Sequence, residues 1–579
     1  MIKANGSQII TKLLELEGIE TVAGIPGGSI LPLYDELNRS NIKHILVRHE
    51  QAAGFIAQGM TRSTGKAAVC MATSGPGAMN LLTAIADARC DSVPVVAFTG
   101  QVNTSLIGTD AFQEADTFGL SFPITKHSMM VKDALELLEA VPKAFQIATS
   151  GRPGPVLIDV PRDVQTQVVE FENWPDLSKT KKASVKIKFE TPEEDAEKNA
   201  ELMADALLNS RHPVLYIGGG CNDEKASSEI KKFLKVMDAA VVTSLMGIGA
   251  VPRSASNNFG MVGMHGSYAA NKAIHDADIV LALGVRFDDR ATGAIAKFCP
   301  DAKILHIDID AAEINKILPS CISIVADVKK ALPLLVKKIE SVKNTPELGE
   351  CKIARYQWLG ELEEVFKSTE SLELGRPEGL EGVNPRAFIK SIPEAAAKAG
   401  VREDQIIVTT DVGQHQMWSA QYYPVEHARQ FLTSGSLGTM GFGLPVALGA
   451  SLANPEKRVV CISGDGSILM NIQEMATLAE QNLNVTVFVF QNGSLGMVRQ
   501  QQEYLFKKNY SASIFDKVPD FLTVAAGFGI DAIDAVKDDK WYEKAFTPGP
   551  HFVKIDISMS ENVLPFVKAG SANIDAIRN

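Results

Sequence analysis

The residues best equipped for chemistry lie in one short stretch, KRVVCISGDGSILMNIQEMATLAEQNLNVTVFVFQNGSLGM, running from Lys457 to Met497. Val459 to Ser463 reads as a buried strand and Gly464-Asp465-Gly466-Ser467 as a turn. Ile468 to Gln481 reads as a helix and Val485 to Phe490 as a second strand. A right-handed crossover makes such strands parallel, with their C-terminal ends on one edge of the sheet. Asp465 and Asn492 sit just past those ends. A carboxylate, an amide oxygen and nearby backbone carbonyls are hard oxygen donors suited to Mg²⁺. The same turn opens a helix, whose free N–H groups and dipole favour a phosphate. Gly464 and Gly466 permit close approach, and Ser467 offers a hydroxyl. Gly-Asp-Gly alone is a common tight turn; followed by this strand, helix, strand and terminal Asn, it points to a metal–diphosphate site.

A site of this kind needs a parallel sheet, and the chain offers three. Apolar, β-branched runs alternate with helix-like stretches, the pattern of α/β domains. Residues 1–165 hold TVAGIP, HILVRHE, AAVCMATS, VPVVAFTG and PVLIDVP. Residues 200–340 hold PVLYIGGG, AVVTSL, IVLALGV, KILHIDID and SIVAD; residues 385–555 hold QIIVTTDVG, QFLTSG, VVCISGDG, VTVFVFQN and HFVKIDI. Polar stretches at 166–199 and 341–384 read as linkers, and the tail 556–579 shows little periodicity. The N-terminus, MIKANGSQIITKLLELEG, reads as an amphipathic helix and not as a signal peptide. At 579 residues and a net charge of −12, the composition is that of a soluble multidomain protein, and the acidity argues against nucleic acid as the main partner. Seven scattered cysteines without a CxxC pair suggest reduced thiols in a cytoplasmic compartment. No apolar run is long enough to span a bilayer.

The Gly464–Asn492 segment resembles the diphosphate-binding motif of thiamine-diphosphate (ThDP) enzymes. That resemblance implies Asp465, the Asn492 side chain and the Ser494 carbonyl as metal ligands. The motif usually ends Asn-Asn and here ends Gln491-Asn492, which spares the ligand position. ThDP chemistry needs a carboxylate on N1′ of the aminopyrimidine, supplied from the sheet opposite the diphosphate site. Glu50, at the end of HILVRHE, suits it. Alone it would read as a helix-start acid favoured by the dipole, but RHEQAAGFIAQGMTR is similar to the family segment. His49 serves either the chemistry or only the loop.

Further motifs follow in order: GIPGGSILPLYDEL, SGPGAMNLLTAIADA, GTDAFQEAD, ITKHS, SGRPGPVLIDVPRDVQ, LGVRFDDRATG, TTDVGQHQMW and SGSLGTMGFGLPVALGA. Over nearly the whole chain they resemble the catalytic subunit of acetohydroxyacid synthase (acetolactate synthase). The resemblance implies a pyrimidine-binding domain, a central Rossmann-like FAD-binding domain and a diphosphate-binding domain. It implies that Gly413, Gln414, His415, Gly466 and Ser467 hold the diphosphate. Met440, Gly438 and Met497 would lie against the cofactor rings. Gly28, Gln101, Phe112 and Lys126 would approach from the other subunit, although Lys126 alone would read as a solvated surface charge. Arg290 matches the arginine that binds the second keto acid's carboxylate, which guanidinium geometry favours; its bland alternative is a surface pair with Asp288 or Asp289.

In the central unit, Gly218, Gly219, Ser244, Leu245, Met246, Gly263, Met264, His265, Gly284, Arg286, Asp308 and Asp327 match FAD-binding positions, although YIGGG alone fits an empty Rossmann-like fold equally. Gln501 stands where members preferring 2-ketobutyrate carry Trp. Losing that contact is worth ~1–3 kcal/mol, so weak 2-ketobutyrate preference is expected. The implied activity is decarboxylation of pyruvate and joining of the two-carbon fragment to a second 2-keto acid, with ThDP, Mg²⁺ and FAD. A homodimer or homotetramer with active sites at the subunit interface is expected, with a small regulatory subunit. The alternatives are a flavin-free catabolic acetolactate synthase, another ThDP-dependent keto-acid decarboxylase, a nicotinamide-dependent dehydrogenase or a non-catalytic ThDP-binding scaffold.

Overall fold

A computed structural model of the chain describes residues 1–177, 189–342, 345–375 and 379–578. Three six-stranded sheets, parallel throughout, carry the α/β architecture expected from the sequence. Each expected apolar run forms a strand, and each sheet gains a sixth strand at one edge: His127–Met130, Asn258–Met261 and Asp531–Asp534. Numbering strands along the chain within each sheet, the first and third sheets share the order 2-1-3-4-6-5. The middle sheet is 3-2-1-4-5-6, the dinucleotide-binding order. In every sheet the order reverses beside the first strand, and the loops leaving the C-terminal ends there diverge to leave a crevice.

Three expectations change, the last being the linker expected over 341–384, most of which is helix. The N-terminus is a strand, Ile2–Asn5, before helix Gly6–Glu17. The strand pairs with Val168–Phe171, and Asn5 and Gln8 close the helix in a capping box. The helix expected over 468–481 breaks into Asp465–Ile468, a 3₁₀ turn Ile472–Glu474 and Met475–Glu480. Asn471, at φ −136° and ψ 31°, leaves the helical region, and its buried amide donates to the Gly441 carbonyl at 2.7 Å. Between the second and third sheets, helix Pro346–Glu373 lays Trp358 and Leu362 on the second unit's core. Among the described residues, no helix is long and apolar enough to cross a membrane.

The first and third units share one hydrophobic core. Its centre is the crossing of helix Glu50–Thr64 with helix Gly443–Ala453, where glycines let backbones touch. A Cβ on Gly59 would lie 2.2 Å from the Val446 carbonyl oxygen, and one on Gly449 2.0 Å from that of Ile56. Phe55 packs edge-to-face on Phe442 at 5.3 Å, an arrangement worth about 1 kcal/mol beyond area burial. Gly449→Ala must part the helices and is expected to cost at least about 1–3 kcal/mol. Gly360→Ala, at an exposed position of helix Pro346–Glu373 with open space around it, is expected to be neutral or stabilising. Melting temperatures of the two variants check this, and an unchanged Gly449→Ala midpoint would remove the close crossing.

Candidate active site

The third sheet's crevice opens between strands Ile406–Thr410 and Arg458–Gly464. The first strand leads to Gly413-Gln414-His415, the second to Asp465-Gly466-Ser467, and the neighbouring strand Val485–Gln491 to Asn492. Asp465 is 2% exposed. Its Oδ2 accepts the backbone N–H groups of Asn492 (3.0 Å) and Gly493 (2.7 Å), and burial pushes its pKa up to about 6. Among the described residues no lysine or arginine pairs with it. A buried carboxylate without a cation is costly by several kcal/mol, so the donor set fits a metal ion. Asn492 Oδ1 accepts from Ser494 N and Oγ, both at 3.1 Å; rotation of that hydroxyl frees a lone pair. No cluster of three or more His, Cys, Asp or Glu occurs among the described residues, and this set holds a single carboxylate.

His415 completes the cradle. Burial pushes its pKa down to about 3, so the ring is neutral, and its Nε2 is buried without a hydrogen-bond partner. Such an atom is costly to leave unmet and suits a diphosphate oxygen. Gln414 is fixed by donation to the Glu561 carbonyl (2.8 Å) and Gln500 Oε1 (3.0 Å). Gln500 and Val563 exchange a reciprocal pair at 2.9 and 2.7 Å, and Val567 N donates to the Met264 carbonyl at 3.0 Å. The tail, patternless in sequence, therefore clasps the second and third units. Gly496, which no spacing marks as a site residue, is required by close approach: a Cβ there would meet Gln414 Oε1 at 2.1 Å.

Gly438 and Met440 ride on a loop held from the first unit. Asp87 accepts Ser434 Oγ (2.5 Å) and Thr439 Oγ1 (2.9 Å), and Asp91 accepts the N–H groups of Gly435 and Ser436 at 3.0 Å. Arg62 pairs with Asp91 at 2.9 Å behind them. Arg286 of the second unit donates to the Cys90 carbonyl (2.6 Å) and Ser436 Oγ (2.5 Å). All three units meet at this loop.

One cavity of about 1940 Å³ runs from here into the middle sheet's crevice, beyond the ~300–1,000 Å³ of a single drug-sized pocket. Gly218 and Gly284 stand at that sheet's switch point. A Cβ on Gly218 would meet the Gly284 carbonyl oxygen at 1.9 Å, and Gly284 has φ +57°. Gly219, Ser244, Leu245, Met246, Met264 and His265 line the cavity, as do Arg286, Asp308 and Asp327. Gly263 lies behind the wall, its Cβ position 2.4 Å from the Arg290 carbonyl oxygen. Arg290 lines the cavity with an exposed side chain, 3.7 Å from Asp289; Asp288 instead caps its helix. Met497 and Gln501 also line the cavity.

Besides Gly263, five expected residues lie outside this cavity. Glu50 opens helix Glu50–Thr64 and accepts Asn80 Nδ2 at 3.0 Å. Gly28 is exposed, and Phe112 is 88% exposed. Lys126 donates to the Ile147 and Ser150 carbonyls at 2.5 Å, capping a helix end; burial pulls its pKa down to about 8. Gln101 is buried, donating to the Ala115 carbonyl (2.8 Å) and Asp159 Oδ2 (3.0 Å). The first sheet's own crevice is filled: Ser29 and Thr73 hydroxyls bond at 2.9 Å, and Gly27 abuts Thr73.

Comparison with known proteins follows the same three-part division. Residues 4–120 match the thiamine pyrophosphate enzyme N-terminal TPP binding domain, 200–335 the central domain and 411–554 the C-terminal TPP binding domain. The acetolactate synthase isozyme 1 large subunit of Escherichia coli is 44% identical, over 99% of this chain and 97% of its own. The probable acetolactate synthase large subunit of Methanocaldococcus jannaschii is 42% identical (98% and 94%), and the chloroplastic acetolactate synthase of Arabidopsis thaliana 41% (99% and 84%).

Asp159 gives a pH prediction. Burial, opposed by the Thr99 and Gln101 hydrogen bonds, pushes its pKa up to about 7. Between about pH 4 and 7 the unfolded chain has released a proton that the folded chain retains, so folding loses stability as pH rises. Asp159→Asn should show a smaller fall in melting temperature from pH 5 to pH 8 than the parent. Equal falls would mean the carboxyl is ionised in the fold.

Proposed function

The chain belongs to the acetolactate synthase large subunits, a branch of the thiamine pyrophosphate enzymes, and we propose how its residues divide the work of that activity. It is the catalytic subunit of a ThDP-dependent acetolactate synthase, an activity that fits branched-chain amino-acid biosynthesis. The observation that carries the site assignment is Asp465, a buried acid with no lysine or arginine paired to it among the described residues, lining one cavity with His415, whose Nε2 is buried and unbonded. Asp465, the Asn492 amide oxygen and the Ser494 carbonyl hold Mg²⁺. His415, Gln414, Gly413, Gly466 and Ser467 hold the diphosphate. Bound ThDP would supply a nucleophilic carbon for the first keto acid and the electron sink for its decarboxylation, and the carbon joined to the second keto acid would be the one the first leaves behind. Met440, Met497 and Gly438 bear on its rings. Arg290 takes the second substrate's carboxylate as a charge-assisted pair, and Gln501 lines the pocket for its alkyl end. FAD occupies the middle-sheet crevice, a reading supported by strand order and by Gly218 and Gly284 at the switch point.

Glu50 holds the aminopyrimidine of the cofactor in a second copy of the chain, with Gly28, Gln101, Phe112 and Lys126 beside it. Two observations support this: Glu50 is absent from its own chain's cavity, and large apolar side chains lie exposed near both halves of the site. Leu31, Met79, Phe112 and Phe122 belong to the first unit, Leu469 and Met470 to the third. A homodimer would cover them. The name large subunit carried by the relatives implies a smaller regulatory partner.

Purified protein with FAD and Mg²⁺ is expected to form acetolactate from pyruvate only when ThDP is present. Glu50→Gln should lower that rate by about 10²-fold or more while ThDP still binds, as titrated by tryptophan fluorescence. Acetaldehyde as the main product would remove the role given to Arg290. Given both substrates, Gln501→Trp should raise the 2-ketobutyrate-derived share by up to about 10-fold; an unchanged share would clear Gln501 of setting preference.

A further inference from the structure

Glu474 lies between the metal-binding turn and Asn492, yet its carboxylate turns away from the cavity toward the first unit. It is fully buried. Oε1 accepts the backbone N–H groups of Arg48 (2.8 Å) and His49 (3.1 Å), and Oε2 accepts Thr477 Oγ1 (2.7 Å). Arg48 adds an ion pair to Glu480 at 2.5 Å, and Thr477 lies 3.4 Å from the Leu46 carbonyl oxygen. The stretch 474–480 thus grips residues 46–49, and the next residue is Glu50. His49 caps the helix that Glu50 begins, its ring accepting Gln51 N. Two adjacent N–H groups on one desolvated carboxylate form a strong, directional grip. On its other side, Asn471 ties the stretch to Gly441, beside Met440.

We propose that Glu474 is a positioning residue for Glu50, through which each chain's diphosphate-binding segment sets the carboxylate that the chain lends to its partner's cofactor. This rests on the reading that Glu50 acts across the interface. Glu474 contacts neither the cavity nor Glu50's side chain. Its effect passes through the backbone of Arg48 and His49. Displacement of a catalytic group by about 1 Å can cost about 10²-fold in rate, so a weakened grip is expected to lower kcat and leave KM for pyruvate nearly unchanged.

Hybrid dimers locate the effect. Chains carrying different tags are co-expressed, and mixed dimers are isolated by two affinity steps. A Glu50→Gln/Asp465→Ala hybrid should regain about half the wild-type rate from two inactive parents, because one site then draws intact residues from both chains. Failure to regain activity, or an active Glu50→Gln homodimer, would sink the shared-site reading and this proposal with it. Glu474→Gln keeps the shape and one acceptor oxygen, so it should fold, with kcat lowered about 3–10-fold. In a Glu50→Gln/Glu474→Gln hybrid, the only working site takes its Glu50 from the Glu474→Gln chain. The rate should therefore be half that of the Glu474→Gln homodimer. A rate equal to the Glu50→Gln/wild-type hybrid would show that Glu474 serves its own chain's diphosphate site, overturning the proposal. Hydrogen exchange of the cofactor-free protein gives an independent reading. Amides 48 and 49 should exchange at least about tenfold faster in Glu474→Ala than in wild type, and equal protection would also overturn it.

Discussion

Two helices that touch backbone to backbone govern the arrangement of this molecule. At Gly59 and Gly449 nothing larger than hydrogen fits between the first and third units, so helix Glu50–Thr64 and helix Gly443–Ala453 cross at one height. Side chains of both units then merge into a single core. That crossing fixes where the N-terminal end of the first helix stands, hence where Glu50 stands, and brings Asp87 and Asp91 within reach of the loop carrying Gly438 and Met440. Native interiors resist the small shifts that a looser contact would permit.

Buried acids do much of the anchoring built on this crossing. Asp87, Asp91, Asp411 and Glu474 each accept from backbone N–H groups or hydroxyls of a loop brought from elsewhere. Carboxylates accept several bonds at once and hold loops that have no ladder of their own. Asp465 belongs to the same class, accepting the backbone N–H groups of Asn492 and Gly493, with no lysine or arginine paired to it among the described residues. Part of the chain's excess acidity is thus spent indoors.

The sequence showed what is local. Strands buried on both faces announce themselves as apolar runs, and the two strands and turn around Asp465 and Asn492 could be read because they are contiguous. Two of the three added edge strands carry no apolar run because they bury little, His127–Met130 only Ser128 and Asp531–Asp534 only Ile533; Asn258–Met261 is mostly buried, but its Asn and Gly interrupt the run. Helix 468–481 failed where Asn471 and Glu474 spend side chains on distant loops. The grip of Glu474 on Arg48 spans 426 positions, and that of Glu561 on Gln414 spans 147; partners so remote leave no pattern to read. The roles given to Arg290, Gln501 and the central glycines came from resemblance, because spacing alone does not distinguish a ligand-binding glycine from one that packs, as Gly263 does.

The first and third sheets repeat one strand order, yet their crevices have opposite fates. In the third, glycines and an unsatisfied histidine leave a hollow; in the first, Ser29 and Thr73 close the matching space with their own hydroxyls. On the reading proposed for Glu50, the loops around that filled crevice are left free to serve a second copy of the chain. Of two like folds in one chain, one then keeps a hollow of its own and the other lends its edge.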